Sequence, residues 1–572
     1  MNGQWTALPS GNTEDSSSRK RKKGEEKMKR LRWIWQGDVY LRLVTLMAVI
    51  ASLASFAYFY SQDLTLACRD GLSRLMIARR VIDNVTPGLA QLGGVWLPLP
   101  NILMLSTIWN DFMYWSGLAG SIVSMISFVL ATVFICKIAL LLTENKGAGL
   151  IAAFIFAINP NVLYMQSTPM SELPAIAFLV AGVYFLMKWG QNVDNLKYLF
   201  LTALAVLGAT LTRYEGWVLL ASICIALVYT FIRKRFNYQK AEGHLVYFGT
   251  LAGLGVFLWL VWNQVIFGDF LYFQNSEYSF KNCIQSGLTV LKPTLRTSNN
   301  LSLSSLTLYE AVVANSGLII FWLGVLGLAY FLFSSRLKTT NVVVVLIFLV
   351  FPAFYILEMY RGEVTIWLPE LTEGRFWNTR HGMTLVPFIA FFAAYLTKRR
   401  LWPKVLVIGL VVVSTVMMVQ KDNIITLNEA VADKTSNLSF IEISAARWLE
   451  KNYDSGRILF QSYGNEQTLF YSKIRLNQFV NEGNANYWRQ ALKDPKDEAR
   501  WVFHAGAGRG YSRQGLEGAT RYAAIARQLR PCLPRQEGRN LQEESLLRQG
   551  GKSKWLGKRY GQRKKSITIR FG

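Results

Sequence analysis

The sequence predicts an all-α polytopic membrane protein with about eleven transmembrane helices, interface helices in the first outer loop and a small extracytoplasmic α/β domain near the C-terminal end. Two observations predict this class. First, 52% of the 572 residues are hydrophobic and the mean hydropathy is +0.22, which is too apolar for an ordinary soluble protein of this length. Second, apolar stretches of about 20 residues with almost no charge recur along the chain, and such stretches are typical of helices that cross a bilayer.

Each predicted span comes from one such stretch. The spans are residues 41–60, 116–142, 147–164, 173–188, 198–211, 216–232, 246–267, 312–333, 341–358, 383–397 and 402–420. A long basic arm precedes the first of them, so that stretch is interpreted as a span and not as a cleavable signal. With the N-terminus in the cytoplasm, the short basic loops all lie on the cytoplasmic side, as the positive-inside rule requires. These loops contain residues 137–146, 188–197, 233–240, 336–338 and 398–400.

The net charge of +26 is concentrated at the two ends of the chain. Residues 19–32 carry nine Lys or Arg and two Glu, and residues 500–572 carry 17 Lys or Arg and four Glu. Since no basic folded region is visible between them, the composition predicts no nucleic-acid partner. The N-terminal run is interpreted as a topology signal beside anionic membrane lipids.

Cysteine and histidine contribute no recognisable metal or disulfide motif. The five cysteines include no CxxC pair, and the three histidines are too sparse for a histidine metal cluster. The spacing therefore predicts neither a disulfide framework nor a zinc site.

The unusual polar residues fall in the loops assigned to the opposite, extracytoplasmic side. These segments are residues 61–115, about 165–172, 212–215, 268–311, 359–382 and 421 to the end. A transporter would more naturally place such residues near the middle of the membrane. The one-sided placement therefore favours chemistry at a membrane surface.

The first outer loop opens with "CRDGLSRLMIARRVID", residues 68–83. Leu72, Leu75, Met76 and Ile82 share one face, while Arg74 and Arg80 face elsewhere, so this stretch is predicted to be an amphipathic helix at the interface. The following "PGLAQLGGVWLPLPNILML" is rich in Gly and Pro and fits a re-entrant or interfacial loop better than a full span.

Several stretches together resemble the C-type glycosyltransferases, the polytopic enzymes of the protein O-mannosyltransferase and lipid A aminoarabinose transferase superfamily. Besides the two stretches above, they are "NPNVLYMQSTPMSELP", "TRYEGW", "FGDFLYFQNSEYS" and "NTRHGMTLVP". The resemblance covers roughly residues 40–420. It implies a polyprenyl-phosphate-linked sugar as donor and a catalytic base in the first outer loop, at Asp70. It also implies that Glu172 binds the acceptor, or a metal beside Asp70. Arg74 stands where the family carries His.

The chemistry of the residues fits that expectation independently. A carboxylate at Asp70 could take the proton of an acceptor hydroxyl that attacks the anomeric carbon. A lipid-phosphate leaving group needs positive charge, which Arg380 at the outer end of a span and Arg213 could supply. Each residue also has a simpler structural interpretation: a helix N-terminal charge for Asp70, snorkelling for Arg380, and an ion pair with Glu215 for Arg213.

The remaining candidate substrate-binding residues are Glu215, His381 and Tyr272, which lie in the same outer loops. Tyr272 is either an aromatic-belt residue or a stacking partner for sugar or isoprenoid. Glu172 could equally cap the helix that follows it, together with Ser171. No metal ligand set is readable, and two carboxylates from different loops are compatible with a divalent ion without requiring one.

The chain is thus divided into four parts. Residues 1–40 form a basic cytoplasmic arm, 41–420 a transmembrane glycosyltransferase core, 421–503 an extracytoplasmic α/β domain and 504–572 a basic tail that is expected to be disordered. In the third part, "IEISAARWLEKNYDSGRILF" predicts a helix, a turn and a strand.

Two functional interpretations from different classes follow. The first is a membrane transferase, expected in a prokaryotic cell membrane, that moves a sugar from a polyprenyl-phosphate donor to a glycan, lipid or protein acceptor. The second is a non-enzymatic membrane protein, such as a lipid-linked sugar transporter, a flippase or a scaffold. A polymerase or ligase acting on lipid-linked glycans is a weaker third, and it would use a diphosphate donor.

Overall fold

The computed structural model describes residues 39–279, 282, 296–334, 339–372, 374–399, 401–420, 423–505, 555–559 and 566–569. The basic arm 1–40 therefore lies outside the described residues, except for its last two positions. Most of the tail 504–572, which was expected to be disordered, also lies outside them.

A long apolar helix and a segment of short helices come first. They are α1 Val39–Ser61, α2 Arg69–Arg80, a 3₁₀ turn Leu89–Leu92, α3 Leu99–Met104 and α4 Asp111–Trp115. Leu72, Leu75 and Met76 of α2 are buried, as the amphipathic pattern predicts, but Arg74 of the same helix is buried too. Arg74 is buried because it packs beside Trp96, away from the apolar residues that join the sheet region. Protein therefore surrounds α2 where lipid and water were expected.

Seven helices follow between residues 118 and 267. They are α5 Leu118–Thr143, α6 Lys146–Ala157, α7 Pro160–Gln166, α8 Glu172–Gln191, α9 Leu196–Thr210, α10 Glu215–Arg233 and α11 Tyr238–Phe267. The chain bends by 65° between α6 and α7. Asn159 caps α7 by accepting a hydrogen bond from the Val162 amide, and Pro160 opens it without an N–H to leave unpaired.

The next group runs to residue 420. It consists of α12 Tyr272–Asn275, α13 Leu301–Ser316, α14 Leu318–Ser334, α15 Thr339–Arg361, a 3₁₀ segment Thr379–Leu385, α16 Val386–Tyr395 and α17 Leu401–Gln420. A bend of 107° separates α13 from α14. It occurs at Gly317, whose φ of +85° is unfavourable for other residues.

By length and composition, seven of the described helices are able to cross a membrane, or up to nine if each bent pair is one span. The protein is therefore a multi-pass membrane protein, but the predicted number of eleven spans is not confirmed. The stretch 198–211 forms the 15-residue α9, and 383–397 forms the ten-residue α16, both shorter than the roughly 20 residues that a simple span needs.

The C-terminal part contains short helices and strands. They are α18 Ile425–Lys434, α19 Asn437–Asn452, β1 Ile458–Leu459, α20 Glu466–Tyr471, a 3₁₀ turn Leu476–Gln478, β2 Phe479–Val480, α21 Ala485–Lys493, α22 Pro495–Glu498, β3 Trp501–Ala505, β4 Trp555–Arg559 and β5 Ser566–Ile569.

The five strands form one mixed sheet in the order β2-β1-β3-β4-β5. Strand β1 pairs in parallel with β2 and β3, and Ile458 lies opposite both Phe479 and Trp501. Strands β3, β4 and β5 pair antiparallel. Two short segments of the expected tail thus extend the sheet.

Two apolar cores organise these parts. The larger core lies among the membrane helices, and the second joins α2 to the sheet region. In the second core Leu72, Leu75 and Met76 pack with Phe460 and Phe470. Helix α2 is therefore held between the helix bundle and the C-terminal elements, and this placement positions the residues of the candidate site.

Close helix packing in the bundle gives a stability prediction. A methyl group at Gly327 of α14 would fall on the carbonyl oxygen of Phe392, whereas one at Gly409 of α17 would meet no atom within 4 Å. We expect Gly327→Ala to destabilise the protein by about 1–3 kcal/mol through overpacking. Gly409→Ala should be neutral or stabilising, by up to about 1 kcal/mol. Apparent melting temperatures in lipid nanodiscs measure both, and equal values for the two variants would contradict the packing.

Candidate active site

Six of the seven predicted site residues meet at the ends of separate chain elements. Asp70 lies in the first turn of α2, and Glu172 begins α8. Arg213 precedes α10, and Glu215 begins it. Arg380 and His381 lie in the 3₁₀ segment before α16. Loops far apart in sequence thus bring these side chains into one network of ion pairs.

Arg380 is the centre of this network. Its Nη2 contacts Oδ2 of Asp70 at 2.5 Å, its Nε contacts Oε1 of Glu172 at 2.9 Å, and its Nη1 contacts Oε1 of Glu429 at 3.0 Å. Glu429 also accepts hydrogen bonds from the backbone amides of Asn378 and Thr379. One guanidinium therefore joins α2, α8 and α18, and Glu429 fixes the segment that carries it.

A second arginine continues the row of charges. Nη1 of Arg213 lies 2.7 Å from Oε1 of Glu172, and Nη2 lies 2.8 Å from Oε1 of Glu215. Ser171 accepts a hydrogen bond from Arg213 at 3.2 Å, and its side chain makes no cap to α8. Ser171 and Glu172 therefore serve the charge network and do not form the simple helix cap that was one interpretation of "TPMSELP".

Glu215 at the far end of the row has two further polar neighbours. Tyr355 of α15 donates its hydroxyl hydrogen to Oε1 of Glu215 at 2.8 Å, and Nδ1 of His381 lies 3.5 Å from the same oxygen. The Arg213–Glu215 ion pair that was the simpler interpretation is present, but it belongs to this longer network.

The members of the network differ in their exposure. The Glu172 side chain is 4% exposed, while that of Asp70 is 35% exposed. Oδ2 of Asp70 is engaged by Arg380, and no hydrogen bond to Oδ1 is recorded within the described residues. Asp70 is therefore the open end of an otherwise buried row, with one carboxylate oxygen available to a reactant.

Arg74, one turn after Asp70 on α2, differs from the other two arginines. It is 6% exposed and its guanidinium carbon lies 4.5 Å from the centre of the Trp96 ring. Its Nε and Nη1 are buried and, among the described residues, have no hydrogen-bond partner. Burying such donors unpaired is costly, so Arg74 carries unused capacity to bind an anion. Oε2 of Glu172 is likewise buried and unpaired.

An apolar wall adjoins the charged row. A small cavity of about 20 Å³ is lined by Glu172, Arg213, Glu215 and Arg380 on one side and by apolar residues of α8, α9 and α10 on the other. That volume is about enough for one water molecule. The charged end of the bundle thus meets an apolar crevice between membrane helices.

A separate charge cluster surrounds Arg69, the neighbour of Asp70. Nη1 of Arg69 lies 2.6 Å from Oε1 of Glu442 and 3.5 Å from Oε2 of Glu466, and Nε lies 3.6 Å from Oδ2 of Asp433. Burial away from water raises the pKa of Glu442 to about 7, and burial also raises the pKa of Glu466.

Tyr272, the seventh predicted residue, lies apart from this network. Its ring stacks on Phe267 with centroids 4.0 Å apart, and it borders Gly94. Sequence reasoning missed Glu429, Tyr355 and the Arg69 partners. Glu429 and Glu442 lie on polar helices without a recognisable motif, and Tyr355 lies within an apolar run, so only the tertiary fold reveals them.

The arrangement does not fit a divalent metal. Within the described ranges, no group of three or more His, Cys, Asp or Glu side chains is placed to hold an ion. The guanidinium of Arg380 bridges Asp70 and Glu172, the two carboxylates that could have shared one.

Solved structures share this fold. ArnT from Cupriavidus metallidurans bound to undecaprenyl phosphate matches with a TM-score of 0.52 at 10% identity, over 83% of this chain and 92% of that one. The apo oligosaccharyltransferase of Archaeoglobus fulgidus matches with a TM-score of 0.51 at 11% identity, over 82% of this chain and 70% of that one. No family model and no curated protein matches the sequence. The predicted resemblance to C-type glycosyltransferases is confirmed at the level of the fold.

The network predicts that Arg380 is essential for stability. Arg380→Gln would leave three carboxylates without their shared cation, and we expect a loss of about 3–5 kcal/mol. The matched control is Arg361→Gln, because Arg361 is mostly exposed and lies 3.8 Å from Glu358; we expect less than about 1 kcal/mol there. Thermal unfolding in nanodiscs compares the two, and similar losses would show that Arg380 does not hold the network together.

Proposed function

We propose that this protein is a membrane glycosyltransferase that moves a sugar from a polyprenyl-phosphate donor to the hydroxyl of an extracytoplasmic acceptor, with inversion at the anomeric carbon. The main observation behind the proposal is the partly exposed Asp70 carboxylate at the open end of a buried row of ion pairs. Its support is the fold shared with membrane transferases.

Asp70 is the proposed general base. As the acceptor oxygen forms its bond to the anomeric carbon, the hydroxyl proton passes to Oδ1 of Asp70, and the bond between that carbon and the phosphate oxygen breaks. Arg380 orients the carboxylate through its contact with Oδ2. A single displacement of this kind inverts the anomeric centre. Base catalysis of this type contributes about 10²–10⁴-fold.

The leaving polyprenyl phosphate gains negative charge, which a cation must stabilise. Arg380 and Arg213 were the predicted phosphate ligands, but their guanidinium groups are already bonded to carboxylates. Arg74 has unpaired N–H groups at the same site. We therefore assign the direct phosphate contact to Arg74, while Arg213 and Arg380 hold Glu172 and Glu215 toward the acceptor, together with His381.

The charged row borders apolar residues of α8, α9 and α10, and such a boundary suits a donor with an anionic head and an apolar chain. We further propose that the N-terminus is cytoplasmic, that the site and the 421–503 α/β domain are extracytoplasmic, and that the host membrane is a prokaryotic cell membrane. The acceptor is a glycan, a lipid or a protein, and Tyr272 is retained as a candidate stacking residue at the periphery.

Asp70→Asn gives the most direct test. We expect cells lacking the protein to lose an envelope glycan and to accumulate its lipid-linked donor, measured by mass spectrometry of glycans and polyprenyl-phosphate sugars. Wild type should restore both, and Asp70→Asn should not. The control is Asp63→Asn, because Asp63 is 80% exposed in the same segment and pairs only at the surface with Lys434. All variants are compared at equal membrane abundance.

Two outcomes would contradict the proposal at different levels. If Asp70→Asn restores the glycan, Asp70 is not the base. If the deletion changes no glycan under any growth condition, a transporter, flippase or scaffold becomes the better interpretation.

Arg74→Gln tests the phosphate assignment. Charged hydrogen bonds contribute about 1.5–3 kcal/mol, so we expect undecaprenyl phosphate to bind the purified variant at least tenfold more weakly. Quenching of tryptophan fluorescence reports the binding, since Trp96 stacks on Arg74. The control is Arg447→Gln at an exposed position of α19. Unchanged affinity together with lower thermal stability would make Arg74 a packing residue of Trp96.

A further inference from the structure

Two neighbouring residues at the start of α2 form ion pairs with different parts of the protein. Asp70 pairs with Arg380 of the membrane core, 2.5 Å away. Arg69 pairs with Glu442 of α19 in the C-terminal part, 2.6 Å away. Because consecutive residues lie about 100° apart around a helix, these two contacts together fix the rotation of α2 about its axis.

Glu442 is well placed to hold Arg69. Its side chain is fully buried, and its Oε2 accepts a hydrogen bond from the backbone amide of Gln467 at 3.1 Å. Its own carbonyl oxygen accepts one from the Thr468 hydroxyl. Glu442 is therefore held by α20 on one side and binds Arg69 on the other. The Ser439 hydroxyl oxygen also accepts a hydrogen bond from Arg69 at 3.3 Å.

The other contacts of α2 leave the orientation of Asp70 sensitive to the bond between Glu442 and Arg69. The contacts of Leu72, Leu75 and Met76 with the sheet region are apolar and non-directional. Arg79 makes directional contacts at the far end of α2, with the carbonyl oxygens of Ile108 and Trp109, more than two turns from Asp70. The ion pairs at residues 69 and 70 are directional. The angle at which the Asp70 carboxylate faces the site therefore depends on whether Arg69 is held.

We propose that Glu442 is a positioning residue for Asp70, acting through Arg69, so that the C-terminal part of the chain completes the candidate active site. The catalytic consequence rests on the proposed function, whereas the mechanical coupling does not. No contact between Glu442 and substrate is implied.

Protonation of Glu442 should weaken its bond to Arg69. The titratable groups that face Glu442 are Arg69 of α2, Asp433 of α18 and Glu466 of α20, and Asp70 lies just beyond Arg69. Burial raises the pKa of Glu442 from 4.5 to about 7. Ionised Glu442 binds Arg69 through a charge-assisted bond, which is stronger than the bond made by the neutral acid.

Ionisation of Glu442 strengthens its bond to Arg69 but has the opposite effect on the stability of the folded protein. Since the folded-state pKa of Glu442 lies above its unfolded value, the folded state holds the proton more tightly between pH 4.5 and about 7. Stability due to this group is greatest below that range and is lost as the pH rises through it. As the pH rises from 4.5 to about 7, the melting temperature of Glu442→Gln should therefore fall less than that of wild type.

The kinetic test uses Glu442→Ala, Glu442→Gln and Arg69→Lys. The matched control is Glu450→Gln, since Glu450 lies on the same helix but pairs at the surface with Lys473. We expect Glu442→Ala to lower kcat at least tenfold with the donor KM within twofold, and Glu442→Gln to recover part of the loss. The ratio of wild-type to Glu442→Gln kcat should approach 1 near pH 6 and rise towards pH 8.

Alkylation of Cys68 provides a readout that needs no enzymatic activity. Cys68 directly precedes Arg69, and burial raises the pKa of its thiol, so loosening of this turn should speed its reaction with a maleimide. Peptide-resolved mass spectrometry of the full-length protein then compares the variants. We expect at least threefold faster labelling in Glu442→Ala and none of this change in Glu450→Gln.

The outcomes separate the two proposals. Faster Cys68 labelling without any transferase activity in wild type would support the coupling and refute the proposed function. Labelling and kcat of Glu442→Ala equal to those of Glu450→Gln would overturn the positioning role. If Glu442→Ala does not reach the membrane, Cys68 labelling and kcat are compared with those of Glu450→Gln in Glu442→Gln and Arg69→Lys instead.

Discussion

The candidate site depends on one buried guanidinium. Arg380 binds carboxylates from α2, α8 and α18, and Asp70, Glu172 and Glu429 are each more than a hundred positions apart in the sequence. A buried charge is tolerated only when it is paired, so the three carboxylates and Arg380 require one another. This mutual requirement fixes where the first connecting segment, the middle of the bundle and the helix after α17 meet.

The balance of charge within the network explains why a further cation matters. Asp70, Glu172, Glu215 and Glu429 contribute four carboxylates, while Arg213 and Arg380 contribute two guanidinium groups. Arg74 adds a third positive charge, and its Nε and Nη1 have no hydrogen-bond partner in the part of the chain that the structure describes. In the proposed function an incoming phosphate finds unused hydrogen-bond donors at Arg74, whereas the paired arginines hold the carboxylates in position.

Much of this site could be predicted because its residues carry local signals. Asp70, Glu172, Arg213 and Arg380 interrupt apolar stretches at their ends, where a charge is conspicuous, and loop charge bias places them together. Glu429 and Glu442 lie on helices rich in polar residues, so nothing local separates them from solvent-exposed acids. The burial of Arg74 could not be predicted for a related reason: a helical pattern shows which face is apolar, but it cannot show that protein covers the other face as well.

The fold, like the site, could be predicted only in part from the sequence. Apolar length predicted the long helices α1, α5, α8, α10, α11, α15 and α17, but it could not show that the stretches 147–164 and 312–333 bend by 65° and 107°. The bends depend on Asn159 with Pro160 and on Gly317, single residues whose effect on a helix depends on what packs around it. The first bend matters for the site, because Asn159 donates a hydrogen bond to the carbonyl of Asn315, and Asn315 in turn donates to the carbonyl of Thr379, next to Arg380. A break in one helix is thereby connected to the segment that carries the central arginine. The bent helices are part of what holds the site in place.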